Sequence, residues 1–286
     1  MAVVNTNVNA TVAQNALVRN ERQMNTAMER LSTGQRINGA KDDAAGLAIS
    51  SRMTSQIRGL EVGIRNANDA ISMISTADGA LVEVTNMLQR MRELALQSAN
   101  GTTTDSDRNY LNAEYASLIS EIDRIAENTQ WNGGTILNHT TAASSTYKYQ
   151  VGANGGQTVA VDFGDFTNTG SGVMQAINSA HASISATTAA SAITTGSAAV
   201  TAIDSAIASV NSQRATFGAS INQLTYAVDN LASVKVNAEA SRSRILDTDY
   251  AAETSELART QIIQQAGTAM LAQANQLPQT VLSLLQ

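Results

Sequence analysis

A chain of 286 residues with one proline, no cysteine, 3% aromatic residues and a net charge of −6 lacks the means for disulfides or thiolate metal sites and the concentrated basic face that nucleic acid requires. Its hydrophobic share of 43% supports a core, but much of it is alanine, which suits closely packed helices better than a thick globular interior. No apolar run approaches the roughly 20 residues of a membrane span, and the opening MAVVNTNVNA lacks the basic start and apolar block of a cleaved signal peptide.

Residues 1–10 are polar and β-branched, with Asn at 5, 7 and 9, and are expected to fray. From about 10 to 31, Ala10, Ala13, Leu17, Met24, Met28 and Leu31 recur at helical spacing. The stripe is thin, and an isolated helix of this kind is marginal in water, so its stability must come from a partner. Ser32-Thr33-Gly34 interrupts the pattern and Gly39 follows. Asp42 and Asp43 then stand where carboxylates complement a helix N-terminus, so 32–42 is predicted to link two helices. From 41 to about 100 the chain reads as one uninterrupted helix. Met53, Ile57, Leu60, Ile64, Ala67, Ile71, Ile74, Leu81, Leu88 and Met91 alternate steps of four and three, with Asp78 and Thr85 as polar members of the register. That is a heptad seam. At 1.5 Å per residue such a helix reaches roughly 90 Å, so other long segments must lie beside it.

A turn at 100–105 leads, capped by Asp105 or Ser106, into a helix ending near 128, with Leu111, Tyr115, Leu118, Ile122 and Ile125 on one side. The short turn makes it an antiparallel neighbour of the long helix. Trp131-Asn132-Gly133-Gly134 is a predicted turn, with Trp131 as a core plug. Residues 147–151 and 158–163 alternate like strands about a Gly- and Asn-rich loop and are predicted to form a β-hairpin. The stretches 140–146 and 164–172 read as loops, and 173–195, rich in Ala, Ser and Thr, as helix. A second long seam runs from 198 to about 245 through Val200, Ile203, Ile207, Val210, Phe217, Ile221, Leu224, Val228 and Leu231, with Arg214 in one slot. It should lie against the first long helix. After a break at 246–249, a last helix over 250–285 carries Ile262, Ala266, Met270, Leu277, Val281 and Leu284 on one side, and Pro278 is expected to kink or loosen its end.

The predicted fold is mainly α: a long-helix coiled-coil bundle with one small β-hairpin region at about 131–165. The layout is nearly symmetric about the hairpin, so the terminal helices are expected to pair. This makes 1–42 with 250–286 one domain and 43–249 the bundle. Each terminal helix keeps apolar surface that one partner cannot cover, which predicts association with further copies. A heterologous contact that does not close builds a helical filament. The expected polymerisation seam is Leu17, Met24, Met28 and Leu31 with Ile262, Ala266, Met270, Leu277, Val281 and Leu284.

No catalytic, cofactor or metal constellation emerges. His139 and His181 sit in Thr- or Ser-rich segments without a paired ligand and read as surface histidines. No HExxH, GxSxG or P-loop pattern occurs. Asp247, Asp249 and Glu253 read as a helix N-terminal cap rather than a cation site. Arg90, Arg92, Glu93 and Glu114 form a charged cluster. By pattern these are solvated charges in i,i+3 pairs; a contact surface is the alternative, because Leu94 lies one helical turn from Arg90.

Both ends resemble bacterial flagellin. The resemblance is carried by LSTGQRIN at 31–38 and AKDDAAG at 40–46, by SRI at 243–245 and DTDY at 247–250, and by QQAG at 264–267 through MLAQANQ at 270–276 with the closing PQTVLSLL. TQWNG at 129–133 and VGAN at 151–154 look like the hairpin region of that family. Such a resemblance implies a structural subunit, not an enzyme, exported unfolded and polymerised into the extracellular motility filament, with terminal helices ordered by assembly. It implies, as partners, other copies of the chain, an export chaperone at the C-terminal helix, filament cap and hook-junction proteins, and the flagellin-sensing Toll-like receptor of animals. Neither nucleic acid nor membrane is implied. The receptor contact would fall on Leu88, Gln89, Arg90, Leu94 and Glu114. A large variable insert after the hairpin is absent, so outer domains are expected to be small. The alternative assignment is a hook–filament junction protein of the same superfamily.

Overall fold

The computed structural model describes residues 7–139, 145–167, 183–184 and 189–283, with backbone alone at 189–190, 192 and 277–283. The first six residues, parts of the loops expected at 140–146 and 164–172, most of the helix expected over 173–195, His181 and Leu284 lie outside the described residues. The chain forms α1 (Val8–Thr33), α2 (Ala44–Ser98), α3 (Asp105–Asn128), β1 (Gln130–Trp131), β2 (Gly134–Thr135), β3 (Thr146–Gln150), β4 (Thr158–Asp162), α4 (Ala189–Leu246) and α5 (Tyr250–Ser283). The fold is mainly α with small antiparallel strand pairs, as the periodicities require. It divides into two compact units, 1–57 with 236–286, and 58–235. The division falls inside α2 and α4 rather than at the breaks beside them.

In the unit 58–235, α2 contributes Ala67, Ala70, Ile74, Ala77, Leu81, Val84, Leu88 and Met91 to the core, α3 contributes Tyr115 and Ile122, and α4 contributes Ile203, Val210, Phe217 and Leu224. Alanines in these slots let the helix backbones approach closely. The polar members of the two long seams meet each other: Arg214 Nε donates to Asp78 Oδ1 at 2.8 Å. α4 is long and apolar enough, by length and composition, to cross a membrane, contrary to the reading that no run approached this. Its apolar side is occupied instead by the core contacts of Ala199, Ile203, Ala206, Val210 and Phe217.

α3 starts from Thr104, not Asp105 or Ser106. The Thr104 hydroxyl accepts from the Asp107 amide while the Asp107 carboxylate takes the Thr104 amide, a capping box that satisfies two orphan donors at once. Hydrogen bonds from Thr104 hold the Asp107 carboxyl below the usual range. The predicted turn at 131–134 is a hairpin of its own, with Trp131 paired to Gly134. Asn132 and Gly133 take φ values of 49° and 81°, the left-handed pair that suits a two-residue hairpin turn. Trp131 is half-buried against the core. In the second hairpin Tyr147 faces Val161 and Tyr149 faces Val159 across β3 and β4. The Phe163 ring packs 5.4 Å from Tyr147 and 5.3 Å from Phe217.

α2 carries this hairpin on its backbone. Asn66 Nδ2 donates to the Gln150 carbonyl at 3.0 Å, and a Cβ placed on Gly63 would stand 2.8 Å from the Val151 carbonyl oxygen and 3.0 Å from its carbon. Gly79, in the same helix, has nothing within 4 Å of that position. Gly79→Ala is therefore expected to stabilise the unit by about 0.5–1 kcal/mol. Gly63→Ala is expected to destabilise it by about 1–3 kcal/mol, because backbone has to move. Urea unfolding followed by circular dichroism checks the opposite signs.

Candidate self-assembly surface

The unit 1–57 with 236–286 pairs α1 with α5. On α1 the inward positions are Ala13, Leu17, Asn20, Met24, Ala27 and Leu31, a strict alternation of four and three. On α5 they are Glu253, Leu257, Thr260, Gln264, Gly267, Leu271 and Ala274, in the same alternation. The residues expected in the polymerisation seam divide between the face turned to the partner helix and the face turned away from it. Met28 leaves the contact and is 50% exposed, while Asn20 and Ala27 take the slots that strict spacing assigns. On α5 the side bearing Ile262, Ala266 and Met270 faces away from α1, with Ile262 at 65% and Met270 at 66% exposure. Leu17, Met24 and Leu31 do face α5. The side chains of Leu277 and Val281, and Leu284 altogether, lie outside the described residues.

Four polar contacts set the register of this pair. Asn20, 4% exposed, donates from Nδ2 to the Thr260 carbonyl at 2.8 Å and to Gln264 Oε1 at 3.1 Å. Its Oδ1 is buried without a partner. Asn7 accepts the Ala10 amide at Oδ1 and donates from Nδ2 to the Ala274 carbonyl at 2.8 Å. That carbonyl is the one a helix would bond to the amide of residue 278, and Pro278 has none. The helix accordingly continues past Pro278 to Ser283, where the sequence alone suggested a disturbed end. Gly267 receives Leu17 so closely that a Cβ would stand 2.5 Å from its Cδ2. Arg30 Nη1 lies 3.6 Å from Glu253.

The two breaks clasp each other at one end of this pair. Gln35 bridges Asp247, the Arg36 amide donates to the Leu246 carbonyl at 2.7 Å, and the Thr248 amide donates to the Gly34 carbonyl at 3.1 Å. Arg36 Nη2 also donates to the Ile245 carbonyl at 2.8 Å, placing a cation on the last turn of α4. Asp249 caps α5 by accepting the Ala251 amide, and Asp42 accepts the Asn38 and Gly39 amides. Asp249 thus caps α5 as expected and Asp43 caps α2 by accepting the Gly46 amide, whereas Asp42 serves the preceding linker and Glu253 faces Arg30.

Elsewhere the predicted site residues separate. Leu88 and Leu94 are 0% and 1% exposed, so the expected receptor contact loses both: a side chain inside the core touches no partner. Gln89, Arg90 and Glu114 remain exposed. Arg90 Nε donates to Glu114 Oε1 and its Nη1 to Glu93 Oε2, both at 2.9 Å. These bonds, Glu114 first, raise the guanidinium above its ordinary pKa. His139 is buried at 7% exposure, not on the surface; its Nε2 lies 3.1 Å from the Ile136 carbonyl and its ring 5.8 Å from that of Tyr147. Ile136 and Leu137 turn inward after β2 and carry it under. Among the described residues no group of three acidic or histidine side chains is placed to hold a metal.

A family model described as the bacterial flagellin N-terminal helical region matches residues 4–142, and one for the C-terminal helical region matches 200–285. A flagellin of Halalkalibacterium halodurans is 44% identical over 284 residues, covering 99% of this chain and 100% of the relative. The chain belongs to the bacterial flagellin family. It is a structural subunit of the flagellar filament. Flagellin A of Vibrio cholerae is 38% identical over an alignment of 378 residues that covers 99% of each chain; that relative carries segments this flagellin lacks, as expected from the missing insert. A solved structure named as a flagellar hook-associated protein from Vibrio parahaemolyticus matches with a TM-score of 0.59 and 18% identity, covering 72% of this chain and 100% of that one. This likeness is one of fold and does not favour the junction-protein alternative.

The inward polar residues Asn20, Thr260 and Gln264 were missed because periodicity was sought among apolar residues; extending the four-three step from Leu17 and Leu257 finds all three. Since Asn20 carries an unpartnered buried oxygen, Asn20→Leu is expected to raise the temperature at which assembled subunits dissociate. Asn20→Asp, which buries a charge there, is expected to lower it sharply. Light scattering on heating separates the two outcomes.

Proposed function

We propose that this flagellin joins its neighbours through the outward faces of α1 and α5, and that both helices become ordered when those faces are covered. The observation that carries this is an inverted distribution. Glu253, Thr260, Gln264 and Gly267 take four of the seven partner-facing slots, beside Leu257, Leu271 and Ala274, while Ile262, Ile263, Ala266 and Met270 face outward. A lone helical pair in water places its apolar stripe inside; an apolar outward face is an interaction surface. In this reading 1–42 and 250–286 form the inner core of the filament and 43–249 a separate long-helix bundle domain.

Export as an unfolded chain follows from the same property, since helices that need neighbours are easily kept open. An export chaperone on the C-terminal helix would cover the face until assembly, and cap and hook-junction proteins would meet it at the filament's two ends. This role requires no catalysis, cofactor, nucleic acid or membrane. Ile262→Asp and Met270→Asp are each expected to abolish filaments seen by sedimentation and electron microscopy, with the monomer's circular dichroism unchanged. Normal filaments from both variants would overturn the assignment of this face.

A second contact is favoured by the exposed fork of Arg90 between Glu93 and Glu114. Held from both sides and flanked by Gln89, it is preorganised for a partner. We infer from the flagellin resemblance that the partner is the animal Toll-like receptor. Arg90→Ala is expected to leave filaments intact and to lose receptor signalling in a reporter-cell assay.

A further inference from the structure

The chain has no cysteine and nine methionines, so thioethers are its readiest targets for peroxide. Met73 and Met91 are 5% and 0% exposed, and the Met73 sulfur already accepts the Tyr149 hydroxyl at 2.9 Å. Met24, Met53 and Met87 are half-buried. Among the described residues only Met28 and Met270 are exposed, at 50% and 66%. One lies on α1 and the other on α5, and neither faces the partner helix. Once the terminal helices are wound, oxidant access and their outward faces therefore coincide.

We propose that Met28 and Met270 are oxidation sites whose conversion to sulfoxide bars a subunit from joining the filament. The inference rests on the assembly reading of these faces. A hydroperoxide is the oxidant. The thioether sulfur attacks one peroxide oxygen and the O–O bond breaks. Sulfur gains that oxygen and loses two electrons, and the other oxygen leaves as water when hydrogen peroxide reacts. The product replaces a flexible apolar group with a strongly polar S–O dipole, which has to be desolvated when another copy covers it. A subunit already assembled has both sulfurs covered, so the device acts on free subunits and leaves the existing filament untouched.

The test uses the whole purified chain. Monomer is treated with hydrogen peroxide until about half of each exposed thioether is oxidised, then polymerised with filament seeds and sedimented. Peptide mass spectrometry quantifies each sulfoxide in pellet and supernatant. Sulfoxide at Met28 and Met270 is expected to be about ten-fold enriched in the supernatant, a tenfold change in an equilibrium constant being a modest penalty for burying a polar group. Sulfoxide at Met87 is expected to be shared equally. Methionine sulfoxide reductase, added to the supernatant, is expected to return those subunits to the pellet. Even partition of the Met28 and Met270 sulfoxides into a normal pellet, or peroxide that leaves both unoxidised, would overturn the switch while sparing the assembly reading. No pellet from untreated subunits would overturn both.

Discussion

Asn20 donating into the backbone of α5 sets the register of a contact in which Leu17, Met24, Leu31, Leu257 and Leu271 share the slots with polar and small residues. A net intramolecular hydrogen bond contributes about 1 kcal/mol, whereas a fully buried Leu or Met contributes about 1.5–3 kcal/mol. Slots given to Asn20, Ala27, Thr260, Gln264 and Gly267 are therefore slots withheld from the stronger term. What they provide is alignment. A buried carboxamide tolerates one register and penalises the others, and Asn7 on the carbonyl freed by Pro278 fixes the far end of the same pair.

That economy explains why apolar side chains sit outside. A helix pair with Ile262, Ile263 and Met270 turned to solvent gains more from neighbours than from its own partner. In the assembly proposed above, specificity inside the subunit and cohesion between subunits fall on opposite faces of one helix, and a filament subunit needs both. The clasp at 34–36 and 246–248 adds a backbone constraint that does not depend on side-chain burial. The two terminal segments, distant in sequence, are held together there.

The unit 58–235 follows the opposite rule. Its seams bury Ile74, Leu81, Leu88, Met91 and Phe217 to zero exposure, and its polar seam members, Asp78 and Arg214, neutralise one another. The flagellin resemblance places Leu88 and Leu94 in the expected receptor contact, and Leu94 also lies one helical turn from Arg90. α2 is buried along a broad face here, at Leu88, Met91, Leu94 and Ala95, and Arg90 sits at the edge of that face. Gln89 and the fork of Arg90 with Glu93 and Glu114 reach solvent.

By itself the sequence determined the existence and type of nearly every element, because heptad spacing in α2 and α4, a single proline and the Gly-Asn punctuation are local signals read at one period. It also marked the family, through contiguous runs at both ends. Which face of each terminal helix turns inward was decided only by the tertiary structure. Periodicity among apolar residues finds the greasiest stripe, and in α5 that stripe is not the one α1 covers; the choice was made by Asn20 meeting Thr260 and Leu17 meeting Gly267, contacts spanning some 240 residues of chain. The burial of His139 was settled in the same way, by neighbours that local composition does not name.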